Sequence, residues 1–142
     1  MKRVQRDVRH ADLVKSLTDA VFSEIWRLIT FAAVLGFQHG VRTPISNPDS
    51  GKSINIDSFS SPNWKGLLYL MSVVETGNSS CLAGTNDSDD HLVKIFEEYA
   101  NGGLDIIDKQ LRSHSDPVTA IVNLLLEANQ SPKPSPDVTG LI

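Results

Sequence analysis

Eight residues of this chain have the types and spacing to meet a polyanion: Lys2, Arg3, Gln5, Arg6 and Arg9 in the opening run, then Ser23, His39 and Arg42. Within the first ten residues the cations Lys2, Arg3, Arg6 and Arg9 are offset only by Asp7, a local charge of +3. Cations at that density bind phosphates by releasing condensed counterions, so the chemistry expected of them is salt-dependent DNA contact. If the run is a strand, Arg3 and Gln5, or Lys2 and Arg6, share one side of it. Ser23 stands just before an apolar helical pattern as its expected N-cap, and a helix start offers N–H groups to a phosphate. His39 and Arg42 follow Gly36, a candidate helix stop, in a polar turn closed by Pro44. Each has a plainer role beside this one. A basic terminus aids solubility, a histidine in a loop usually faces solvent, and Arg42 could bond the last carbonyls of the preceding helix.

Other chemistries fail on spacing. Gly51-Lys52-Ser53 resembles the end of a phosphate-binding loop, but the glycine required five positions earlier is Ser46. The histidines at 10, 39, 91 and 114 are far apart and none is followed by a second ligand at i+3 or i+4, and Cys81 is the lone cysteine. No cation near Cys81 would activate its thiol. Glu97 with Glu98, and Asp105 with Asp108, are expected on a solvated helix face, because an acid–base pair needs a buried pocket to separate its pKa values. No catalytic residue, cofactor or metal site is therefore expected, and the protein reads as non-enzymatic.

The chain has 142 residues, 40% apolar and 21% charged, enough for one domain with a single core. A single cysteine fits a reducing cytoplasm. The longest apolar stretch, residues 25–37, contains Arg27 and Thr30 and is too short to span a bilayer. A soluble cytoplasmic protein is expected. Residues 1–65 carry nine Lys and Arg against six acids, while residues 66–142 carry four against eleven. An anionic partner would meet the first half.

The elements that must position these side chains are mainly helical. Leu13, Val14, Leu17 and Val21 predict a first amphipathic helix. A second runs from about Glu24 to Leu35, with an apolar arc wide enough for a central position. Alternation over residues 53–59 predicts a short strand that could pair with residues 3–8 or with another subunit. Ser61-Pro62 starts a third helix that ends near Gly77. Ser88 is the expected cap of a fourth, which Gly102-Gly103 either interrupts or weakens, and Asp116-Pro117 opens the last. The fold class is mainly α: a single compact domain over residues 1–129, with five to six helices and one or two short strands. Residues 130–142, with three prolines, are expected to be a disordered tail. Trp26 and Trp64 are expected in the core or along a seam. A basic strand ahead of two helices resembles ribbon–helix–helix DNA-binding proteins.

Several blocks resemble a known family. They are Arg3-Val4-Gln5-Arg6-Asp7 through His10, Leu17-Thr18-Asp19, Phe31-Ala32-Ala33-Val34-Leu35-Gly36-Phe37, Arg42-Thr43-Pro44-Ile45, and Phe96-Glu97-Glu98-Tyr99-Ala100-Asn101-Gly102-Gly103-Leu104. They are similar to small accessory proteins encoded beside the Dnd DNA-phosphorothioation genes. The resemblance implies a setting in prokaryotic defence against phage, linked to DNA sulfur modification. It supplies no active site. Two functions follow as expectations: an accessory factor that contacts DNA through the basic N-terminal face, or an adaptor within a DNA modification or restriction complex. A homodimer is compatible with either.

Overall fold

The computed structural model describes residues 3–49, 51–55, 64–77, 79, 86–114 and 116–130. Lys2, residues 56–63, Cys81 and residues 131–142 lie outside the described residues, and with them the Ser61-Pro62 start and the expected tail. Five helices carry the fold: α1 (Ala11–Ala20), α2 (Ile25–His39), α3 (Trp64–Thr76), α4 (Asn86–Arg112) and α5 (Pro117–Gln130). A 3-10 turn, Val8–His10, precedes α1. Two short strands, β1 (Arg3–Val4) and β2 (Ile54–Asn55), pair antiparallel with Arg3 opposite Asn55 and Val4 opposite Ile54. The expected pairing of the two strands is therefore present, but Val8 has already entered the 3-10 turn.

The core forms where α2 crosses α4, the most extensive helix pair among the described elements. Leu28, Ile29, Ala32, Ala33 and Leu35 of α2 are buried against Leu92, Ile95, Phe96, Leu104 and Ile107 of α4. Fully burying one such large apolar side chain contributes about 1.5–3 kcal/mol. Leu13, Val14 and Leu17 bring α1 to this core, Leu68 and Met71 bring α3, and Ile121 and Leu124 bring α5.

Two expected helix ends differ. Gly36 does not stop α2, which continues to His39 and ends at Gly40, where φ is 67° and the N–H reaches back to the Gly36 and Phe37 carbonyls. Gly36 serves the crossing instead: a Cβ there would come within 3.0 Å of the Tyr99 carbonyl. Gly102 and Gly103 do not interrupt α4, because they too lie where another backbone passes, at Val41 and Ala32. Gly36 and Gly103 let the two helices approach closely, Gly102 admits the backbone at Val41 just beyond α2, and α4 runs unbroken for 27 residues. Ser88 falls inside α4 rather than at its cap.

Ser23 likewise does not cap α2. That position belongs to Glu24, which makes no capping bond and accepts instead from the Trp26 indole N–H. Trp26 is half-buried, with Arg27 stacked 5.3 Å from its ring centre, so it lies on a seam as expected. At α5 the expected start holds: Asp116 accepts from the Thr119 N–H at 3.2 Å. Among the described residues no single helix is long and apolar enough to cross a membrane.

Candidate functional site

The opening run lies across α4 and is tied at both ends. Asp7 is its hub. Its carboxylate is almost wholly buried and accepts from the N–H of Arg9 at 3.2 Å, the N–H of Ser46 at 3.1 Å, the Ser46 hydroxyl at 3.2 Å and the N–H of Asn47 at 3.4 Å. Burial alone would push the Asp7 carboxyl up, but these four hydrogen bonds outweigh it and hold it below the ordinary carboxylate range. The Val8 N–H donates to Asn47 and the Asp49 N–H to Arg6, which stitches residues 6–8 to 47–49.

This arrangement fixes a pH dependence. Asp7 is depressed in the folded chain, so its contribution is complete above the unfolded value, about pH 3.9. It is lost as pH falls through the lower folded value. Asp7→Asn is expected to lose about 1–3 kcal/mol at pH 7. Urea unfolding at a series of pH values checks this: the gap between wild type and variant should narrow below about pH 4.

The cations are mostly engaged. Arg3 is exposed, yet its Nε donates to the Ser53 hydroxyl at 2.7 Å and its Nη2 to the Ser53 carbonyl at 2.6 Å. Gln5 is exposed, and its backbone N–H donates to Glu97 at 2.9 Å. Arg6 is only 8% exposed. Arg9 pairs with Asp105 at 2.9 Å and approaches Asp7 at 3.9 Å. Buried His10 meets the other oxygen of Asp105 at 2.7 Å. Arg42 bridges two helices, Nη1 to Glu75 of α3 at 2.8 Å and Nε to Glu98 of α4 at 3.1 Å. Burial opposes its charge, but these two carboxylates hold its pKa above the ordinary value. Ser23 and His39 are exposed, and His39 closes α2 rather than joining Arg42 in a turn. The structure therefore ties Gln5 and Arg9 to Glu97 and Asp105 of α4, holds Arg3 at Ser53 and buries Arg6. Arg42 meets α4 at Glu98, while Ser23 and His39 stand exposed at the two ends of α2.

Two of the acids expected on a solvated face, Glu98 and Asp105, hold these cations instead, while Asp108 pairs with Arg112 one turn on. Glu98 is 5% exposed, and its backbone carbonyl also accepts from the Thr43 N–H at 3.0 Å. Asn101, one turn on, donates to the carbonyls of Thr43 and Pro44 at 3.0 and 3.2 Å. Glu75 accepts a further hydrogen bond from Tyr99; that bond and Arg42 hold its carboxyl low against burial. Burial first, and Glu75 second, push the Tyr99 phenol up to about 12. Glu97, unlike Glu75, is raised, by burial. The signal that could have exposed this face was spacing: Glu98, Asn101 and Asp105 recur at three and four on α4, a polar stripe on the side that meets the chain's first half. Among the described residues no three His, Cys, Asp or Glu lie close enough to hold a metal ion.

A family model described as DNA sulphur modification system-associated protein 4 matches residues 3–140. The chain belongs to this family. No curated protein and no solved structure matches it. The family name sets the context, association with a DNA sulphur modification system. The opening run from Arg3 onward, the α2–α4 crossing and the Arg42 bridge all fall within the matched residues.

Proposed function

We propose that this protein is a non-catalytic adaptor of the DNA sulphur modification system, docking onto a protein of that system rather than reading DNA phosphates itself. The observation that carries this reading is the use of its arginines. Arg9 and Arg42 are spent on Asp105, Glu75 and Glu98, and Arg6 is buried, so little of the expected cationic patch remains for a phosphate backbone.

The docking surface we assign is the outer face of α5. Val118, Val122, Leu125 and Leu126 are each about half exposed, opposite the buried Ala120, Ile121 and Leu124. The first three follow at spacings of four and three, the seam that receives another helix. Four half-exposed side chains on one face of one helix make a footprint suited to a single partner helix. α5 contains no Lys or Arg, and exposed Asp116 and Glu127 flank the stripe. A second copy would bring the same acids, so the partner segment is an amphipathic helix with basic flanks.

The test is binding of the purified chain to each purified protein of the modification system, with a mobility-shift assay on plain and phosphorothioated duplex beside it. One stoichiometric complex is expected, weakened at least about tenfold by Val122→Glu or Leu125→Glu, with no duplex shift. A duplex shift that fades with salt and is lost in Arg3→Ala would return the function to direct DNA contact. A homodimer disrupted by Val122→Glu would also overturn the adaptor reading.

A further inference from the structure

The outer face of α3 carries the most exposed large apolar side chains among the described residues, Leu70 at 56% and Val74 at 60%. We propose that this face binds a second copy of the chain, the two α3 helices packing antiparallel about a two-fold axis at Leu70. The face is distinct from the α5 stripe, and the pairing does not depend on the adaptor role.

A glycine on the same face leaves room for a close approach. Among the described residues every other glycine has an internal reason for its identity. Gly36, Gly102 and Gly103 meet another backbone, and Gly40, Gly51 and Gly77 have φ between 67° and 78°. Gly66 has neither, and a Cβ there would meet nothing within 4 Å. Within a helix glycine is less stable than alanine, and no contact inside the chain offsets that loss here. What glycine offers at such a place is space for another helix, because the side chains at the contact set the distance between packed helices.

The pattern of the face selects the occupant. Gly66, Leu70 and Val74 follow at spacings of four, so they share one side of α3, away from the buried Leu68, Met71 and Ser72. In an antiparallel pair centred on Leu70, position 66 of one copy lies opposite 74 of the other, and 67 lies opposite 73. Val74 then fills the space over Gly66 of the second copy, twice, and half-buried Leu67 meets half-buried Val73. An unrelated helix would have to supply both the gap and the side chain that fills it, whereas a second copy brings them at matching positions. Positions 66, 67, 69, 70, 73 and 74 are all uncharged, so nothing repels across the axis. Asp116 and Glu127 would do so in a pairing through α5. Glu75 of α3 is already held by Arg42.

The experiment is sedimentation equilibrium of the full chain from about 2 to about 500 μM, with Tm measured beside it. A reversible monomer–dimer equilibrium is expected, with a Kd on the order of tens of micromolar. Leu70→Glu and Gly66→Leu should each weaken it at least about tenfold while the Tm of the dilute monomer does not fall. Association lost without stability lost separates a contact surface from a structural role. Val122→Glu on α5 should leave the dimer intact, so failure of this pairing is distinguishable from failure of the adaptor reading. Cross-linking reads the register. In a Cys81→Ser chain, Leu70→Cys should form a disulfide-linked dimer on oxidation. Val74→Cys should not, because positions 74 of the two copies stand about 12 Å apart along the helix axis. A chain that stays monomeric throughout, including one that gives this face to a protein of the modification system instead, would overturn the proposal. So would a dimer indifferent to Leu70→Glu and Gly66→Leu, or equal cross-linking from positions 70 and 74.

Discussion

Gly103→Ala is expected to destabilise the fold by about 3 kcal/mol or more, although in an exposed helix the same change would add about 1 kcal/mol. The sign reverses because of what lies opposite. A Cβ at Gly103 would sit within 3.0 Å of the Ala32 carbonyl, backbone of α2 that cannot rotate out of the way as a side chain could. Relief requires α2 and α4 to separate, and that separation loosens Phe96, Ile107, Leu28 and Ile29, all less than 2% exposed. Urea unfolding of the variant gives the measurement. A midpoint equal to or above wild type would mean that the helices do not cross as described. Gly66→Ala on α3, where a Cβ meets nothing within 4 Å, is the control and should be neutral or slightly stabilising.

The second large effect concerns Arg42. Arg42→Ala leaves Glu98 buried without its guanidinium partner, and removing one member of a buried pair costs about 3–5 kcal/mol. Arg42 itself is about a quarter exposed, so solvent screening reduces the expected loss to about 2–3 kcal/mol. Arg42→Lys should recover only part of this, because one ammonium group cannot span Glu75 and Glu98 as a guanidinium fork does. Adding Glu98→Gln to Arg42→Ala should restore about 1–2 kcal/mol, a coupling that a double-mutant cycle reads directly. Strict additivity of the two changes would show that the pair does not interact.

Much of the architecture was legible in the chain. The periodic apolar runs located all five helices, and Asp116-Pro117 marked the start of α5. Period-two alternation found the β1–β2 partners. What misled was glycine. Gly36, Gly102 and Gly103 look like stops, yet each is there because a second backbone passes nearby, and that information is tertiary. The cations misled for a related reason. A run such as Lys2–Arg9 shows charge, not what the charge meets, and Asp105 stands 96 positions from Arg9. Glu98, Asn101 and Asp105 could have been recognised as an inward polar stripe by their spacing, but their partners could not.

The distance between Arg9 and Asp105 also bears on biosynthesis. Arg9 and His10 leave the ribosome long before the carboxylate they will hold has been translated. At roughly 5–20 residues per second, the interval is about 5–20 s. Until α4 emerges, the N-terminal segment has only its ties to residues 46–55, and Arg9 and His10 lack the carboxylate that anchors them to the core. Native docking of that segment is thus a late event in assembly, governed by non-local closure rather than by local helix formation.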